Sequence, residues 1–187
     1  MSYEFTNDWF NITAKGWDKF PLADTVLEIG SYEGRSTVWI IENMLTENGT
    51  LICIDTWSGG EDHSGIDFAA VENRFENNIK KAKYGNQRIY KVKGTSVNGL
   101  ATCITGQHQF DFIYIDGSHI AKDVLTDACM AWPMLKSGGL MVFDDYSWGD
   151  SRDILHRPKM AIDSFVNLFA EDLMILSIGS QLVARKK

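Results

Sequence analysis

Carboxylates and one histidine recur where apolar runs end. Asp116 closes the run from Phe110 to Ile115, His119 follows three residues later, and Asp144-Asp145 closes the run from Gly139 to Phe143. Three carboxylates converging on one edge would repel unless something positive sat between them, and an all-oxygen set suits Mg²⁺ or a similar hard cation. Asp116, Asp144 and Asp145 are therefore the candidate metal ligands, although an acidic pair also serves as an ordinary turn. A cation held there would bind adjacent oxygens of a substrate and lower the pKa of one hydroxyl. His119 is the candidate general base, with Asp116 beside it in the reaction. An imidazole titrating near ~6.5 accepts a hydroxyl proton close to neutral pH, a role worth roughly 10²–10⁴ in rate. Without the carboxylates nearby, a solvent-facing histidine at a helix start would be the plainer reading.

A second set lies near the start of the chain. Val26-Leu27-Glu28-Ile29 is an apolar run carrying one acid, and Gly30-Ser31-Tyr32-Glu33-Gly34-Arg35-Ser36 follows it. Gly30 and Gly34 let backbone approach a ligand where a side chain would collide, and the N–H groups that open the next helix favour partial negative charge. Such a turn serves nicotinamide dinucleotides and S-adenosylmethionine alike. Asp55 ends the next apolar run and is followed by Thr56 and Trp57; an acid there can accept hydrogen bonds from both hydroxyls of a ribose.

These residues need a scaffold that brings strand ends together. Short apolar segments alternate with amphipathic ones, which predicts strands at Thr25–Ile29, Thr50–Ile54, Ile89–Lys93, Phe110–Ile115 and Gly139–Phe143. Helices are predicted at Asp8–Lys19, Ser36–Leu45, Asp67–Lys83, Val97–Ile104, Ile120–Leu135 and Met160–Ala170. Leu173–Ile178 and Gln181–Lys186 flank Gly179-Ser180 and read as a hairpin. The fold class is α/β: a doubly wound, Rossmann-like, mostly parallel sheet with a C-terminal antiparallel hairpin. Ligands of such sheets bind beyond the carboxyl ends of the strands, where the acids lie.

The 187 residues suit one domain, with residues 1–22 as an N-terminal helical cap and 146–160 as a substrate lid. His63 and His156 lie in the loops after the second and fifth strands, while His108 has no such context. No apolar run is long enough to span a bilayer, and the N-terminus does not read as a secretory signal, so a cytoplasmic protein is expected. Cys53, Cys103 and Cys129 are scattered within apolar segments and read as reduced core thiols. The net charge of −7 argues against nucleic-acid binding by the whole surface. A local basic cluster, Lys80, Lys81, Lys83, Arg88, Lys91 and Lys93, is the exception, and such runs are usually a solvated face. The N-terminal aromatics Tyr3, Phe5, Trp9, Phe10, Trp17 and Phe20 suit an amphipathic helix on the chain's own sheet, a cap over its site or a partner copy, which leaves a homo-oligomer open.

The segment from Leu27 to Ser36 resembles the cofactor loop of catechol-type O-methyltransferases in its placing of Glu, Gly, Tyr, Gly and Ser. Ile115-Asp116-Gly117-Ser118-His119 and Leu135-Lys136-Ser137-Gly138-Gly139 through Phe143-Asp144-Asp145-Tyr146 look like the corresponding segments of the macrolide-sugar type. The chain is thus similar, from Thr25 to Tyr146, to class I S-adenosylmethionine-dependent methyltransferases that are metal-dependent and act on small molecules. The resemblance implies that Gly30, Ser31 and Ser36, within the loop that includes Tyr32 and Gly34, hold the methionine end of S-adenosylmethionine and that Glu28 accepts its ammonium. It also implies that Asp55 takes the ribose beside Thr56, that Trp57 covers the adenine or walls the substrate site, and that Thr95 and Ser96 meet the adenine amino edge. Asp116 would serve cofactor and metal together. His119 stands where catechol-type enzymes carry a catalytic lysine and macrolide-type enzymes a histidine. The expected activity is methylation of a small hydroxylated acceptor with S-adenosylmethionine and Mg²⁺. Metal-free methylation of oxygen or nitrogen and an NAD-dependent oxidoreductase are the alternatives.

Overall fold

The computed structural model describes residues 2–8, 10–60, 65–149 and 152–187. A short helix α1 (Phe10–Thr13) and a 3-10 turn (Trp17–Lys19) precede β1 (Ala23–Ile29), α2 (Arg35–Asn43), β2 (Leu45–Asp55), α3 (Phe68–Ala82), β3 (Arg88–Lys93) and α4 (Ser96–Thr105). There follow β4 (Phe110–Ile115), α5 (Ala121–Ala131), β5 (Leu135–Phe143), α6 (Lys159–Leu168), β6 (Leu173–Ile178) and β7 (Leu182–Lys186). The sheet runs β3-β2-β1-β4-β5-β7-β6. Its first five strands are parallel, and β7 lies antiparallel to both β5 and β6. The order reverses between β1 and β4, which opens a crevice at their carboxyl ends.

Period-two alternation divides the core between the two faces. Leu27, Ile29, Ile52, Ile54, Ile113 and Ile115 pack with α4, α5 and α6, whereas Val26, Leu51, Cys53, Phe112 and Tyr114 pack with α2, α3 and the N-terminal segment. Glu28 pairs in register with Cys53 and Tyr114 and so shares the second face.

Three expectations change in the fold. The helix expected over Asp8–Lys19 is broken into α1 and the 3-10 turn, because Gly16 takes a left-handed φ of 90° and turns the chain so that Trp17 enters the core. Trp17 is 1% exposed, lies edge-on to Phe10, Trp39, Phe112 and Tyr114, and donates from Nε1 to Gln181 at 2.7 Å. Trp9 lies outside the described residues. Helix α5 stops at Ala131, short of Leu135, because Pro133 supplies no amide donor and starts a 3-10 turn. Finally, Cys53 and Cys103 are buried thiols but Cys129 is exposed on α5, so the expectation of three core thiols fails at that position.

Two residues of the basic cluster pair with carboxylates of α3. Lys91 pairs with Glu72 and Glu76, and Lys93 with Glu72. Among the described residues, no helix is long and apolar enough to cross a membrane.

Candidate functional site

The glycine turn and the acidic cluster are locked together through backbone. The Gly30 N–H donates to the Ile54 carbonyl and the Asp116 N–H to the Ile29 carbonyl, both at 2.8 Å. Gly30 has a φ of 86°, and a Cβ there would stand 2.0 Å from the Asp116 carbonyl oxygen, so only glycine permits this approach. Gly34, at a φ of 81°, precedes the first turn of α2.

Within this turn the acids face inward. Glu28 is fully buried and accepts from the hydroxyls of Ser31 and Ser36 at 2.6 Å and of Thr37 at 2.5 Å. Burial pushes its pKa up, while these hydroxyls and the Cys53 thiol pull it down. The carboxylate expected to meet a ligand ammonium thus stands behind Ser31 and Ser36 and braces them. Asp55 accepts from the backbone N–H of Ser31 at 2.9 Å, Tyr32 at 2.8 Å and Trp57 at 2.7 Å, tying the turns after β1 and β2 together. Thr56 accepts from the Ser58 N–H at 3.2 Å. Trp57 is buried, donates to the Tyr32 carbonyl at 2.9 Å and packs on Phe75, which makes it a core aromatic beneath the loop. Thr95 caps α4 by accepting from the Asn98 N–H, and Ser96 is the first residue of that helix.

Glu33, which the sequence did not single out, is the anchor of this region. It is buried, pairs with Arg74 at 2.6 Å, and accepts from both the N–H and the hydroxyl of Thr6 at 2.6 Å. Its only signal is an acid inside a glycine turn; partners 27 and 41 positions away leave no local pattern.

Beyond β4 and β5, the structure gathers the expected ligands. Asp145 has a left-handed φ of 55°, a conformation that Asp tolerates better than most residues. Asp144 is buried; it accepts from the Tyr114 hydroxyl and from the Asp145 N–H at 2.7 Å. One oxygen of Asp145 lies 2.8 Å from His119 Nε2. Ligand atoms of Asp116, His119 and Asp145 all fall within 4.8 Å of one another. The expected triad of Asp116, Asp144 and Asp145 lines one cleft with His119.

Tyr114 also escaped the sequence reading. Its hydroxyl bridges Asp144 and Asp116, 3.1 Å from the latter, and only the period-two spacing to Asp116 hinted at a shared face. Burial, together with the charges of Asp144 and Asp145, holds the Asp116 carboxyl well above the usual carboxylate range. Ser118, Val124 and Pro158 complete the walls of this cleft.

The loop after β5 closes over the cluster. The Trp148 ring lies 4.1 Å from that of His119, and Arg152 stacks on Trp148 at 4.4 Å. Tyr146 donates to Asp163 at 2.8 Å, and Lys159 bonds both, which pins the loop to α6. His156 lies in an exposed 3-10 turn and His108 stacks near Phe110. His63 lies outside the described residues.

A family model described as a methyltransferase domain matches residues 27–146. The uncharacterized protein R132 of Acanthamoeba polyphaga mimivirus is 29% identical over 126 residues, which cover 65% of this chain and 51% of that protein. The chain therefore spans about half the length of this curated relative. Among solved structures, the O-methyltransferase from Bacillus cereus in complex with SAH is similar with a TM-score of 0.67 and 19% identity, over 88% of this chain and 74% of that one. The O-methyltransferase TomG from Streptomyces achromogenes, involved in tomaymycin synthesis and solved with SAM, gives 0.66 and 18% over the same shares. Both share the fold. The family match takes in the glycine turn, the strand-end acids and His119, and the chain belongs to the methyltransferase domain family.

Proposed function

We propose that this chain transfers the methyl group of S-adenosylmethionine to a hydroxyl of a small molecule, assisted by a divalent cation. One observation carries the reading: Asp116 fastens the glycine turn through its backbone and heads the Asp116, His119 and Asp145 cluster through its side chain. Cofactor turn and acid–imidazole cluster thus share one crevice at the switch point of the sheet. The solved relatives complexed with SAH and SAM support the choice of cofactor.

The donor set fits a cation. Asp116, Asp144 and Asp145 offer oxygens while His119 Nε2 is kept for the proton, and the repulsion of Asp144 and Asp145 that joins burial in raising the Asp116 pKa is what a positive charge would relieve. When bound, the cofactor supplies an electrophilic sulfonium methyl, and the cation supplies positive charge beside the acceptor hydroxyl. Ser31 and Ser36, braced by Glu28, and the amides opening α2 line the turn for a zwitterionic amino-acid group. His119 takes the hydroxyl proton at Nε2, and Trp148 limits water on one side of its ring.

Calorimetric titration with SAH and with NADH tests the cofactor; binding of NADH alone would overturn the reading. Mn²⁺ titration followed by electron paramagnetic resonance tests the cation, with Asp145→Asn expected to weaken binding roughly 10–100-fold. A second reading has its own observation, the direct 2.8 Å contact between His119 and Asp145. That dyad would orient the base with no cation, and methyl transfer surviving EDTA would favour it.

A further inference from the structure

Tyr114 is a buried polar side chain beside the cleft to which the proposed reaction gives no role. It is 0% exposed on β4, in register between Glu28 of β1 and Val142 of β5, and the Trp17 ring meets it edge-on at 4.9 Å. Strand pairing on both sides and the packed ring hold the phenol in one place. From there its hydroxyl donates to Asp144 Oδ2 and lies 3.1 Å from Asp116 Oδ2. The other oxygen of Asp144 accepts from the Asp145 N–H at 2.7 Å, so that carboxylate is held at both ends. Asp116 is tied at its backbone, where its N–H donates to the Ile29 carbonyl at 2.8 Å.

A phenol offers a single hydrogen, whereas a carboxylate offers about four lone-pair sites. One hydroxyl shared by two acids draws them to a common point and fixes the distance between them, and both acids keep lone pairs for the cleft that they line. Fixed spacing discriminates among cations. Mg²⁺ requires near-octahedral oxygens at about 2.1 Å and Mn²⁺ takes the same octahedral oxygen set, while Ca²⁺ accepts a looser shell at about 2.3–2.6 Å. We propose that Tyr114 is a positioning residue that sets the spacing of Asp116 and Asp144, so that the cleft takes a small octahedral cation in preference to Ca²⁺. The inference rests on the cation reading of the site. Tyr114 acts through the two carboxylates, as outer partners of metal ligands do.

Mn²⁺ binding followed by electron paramagnetic resonance, with Ca²⁺ as competitor, decides it. The unsubstituted chain should bind Mn²⁺ about tenfold or more tighter than Ca²⁺. Tyr114→Phe keeps the ring against Trp17 and removes only the hydroxyl. It should weaken Mn²⁺ roughly 10-fold while moving Ca²⁺ by less than about threefold, so that the preference collapses. A purely structural Tyr114 would lower the melting temperature and leave the Mn²⁺ to Ca²⁺ ratio where it was. An unmoved ratio in the folded variant, or tighter Mn²⁺ binding, overturns the proposal. If the variant does not fold, the unsubstituted chain decides: comparable affinities for the two ions overturn it. A chain that binds neither ion would sink the cation reading and this inference with it, whereas cation binding with an unmoved ratio sinks this inference alone.

Discussion

Single buried carboxylates govern how this protein responds to substitution and to pH. Glu28 is stable in the core because its oxygens collect three hydroxyls. Thr37→Val removes one of them, and the loss should be about 1–3 kcal/mol in urea denaturation, since a buried acceptor is left short of a donor. Asp127 presents the opposite case. Its pKa rises from the ordinary 3.8 to about 6 on folding, so the unfolded chain gives up its proton first as pH increases. Stability from this group is therefore full below about pH 4 and declines as pH rises through about 6. Asp127→Asn should stabilise the fold by roughly 1–3 kcal/mol at pH 8 and by little at pH 4, measured by thermal melts at both. Chemical type and position after a strand made Asp116, His119 and Asp145 visible in the sequence. The bond from the Tyr114 hydroxyl to Asp144 was not visible, because it joins residues 30 positions apart on neighbouring strand ends.

Elements position these residues by their ends. The turn from β1 to α2 works only because Gly30 admits the Asp116 carbonyl where a methyl group would stand 2.0 Å away. Gly30→Ala adds that collision to a positive φ, and it should cost roughly 3 kcal/mol or more, read as a lowered urea midpoint together with lost SAH binding. Strand and helix positions were legible from apolar periodicity, since parallel strands buried on both faces are continuous apolar runs. The first helix was the exception. Trp17 is directed to the sheet by Gly16, and with Phe10 it joins the core formed with Phe112, Tyr114 and Trp39.

At the scale of the whole molecule, net charge and ion pairing act together. The chain carries −7, and α3 carboxylates pair with Lys91 and Lys93 in its one basic cluster. Filter binding to RNA at about 0.15 M salt should therefore show no retention, and a salt-dependent affinity would contradict this account. One sheet with a core on each face should unfold in one calorimetric transition. SAH at one hundred times its dissociation constant should raise that transition by roughly 5–10 °C, because a ligand that binds only the folded state adds about 2.7 kcal/mol.

The sequence by itself determined the alternation of strands and helices, the glycine turn and the acids that follow β2, β4 and β5, because these depend on local periodicity and on backbone freedom at single positions. Tertiary structure decided which acids face the crevice. Glu28 is fully buried against hydroxyls of its own turn and of α2, while Asp116, Asp144 and Asp145 line one cleft with His119. Donors to Asp55 and Asp144, the Ser31 and Tyr32 amides and the Tyr114 hydroxyl, lie 23 to 30 positions away along the chain, and no local spacing encodes them.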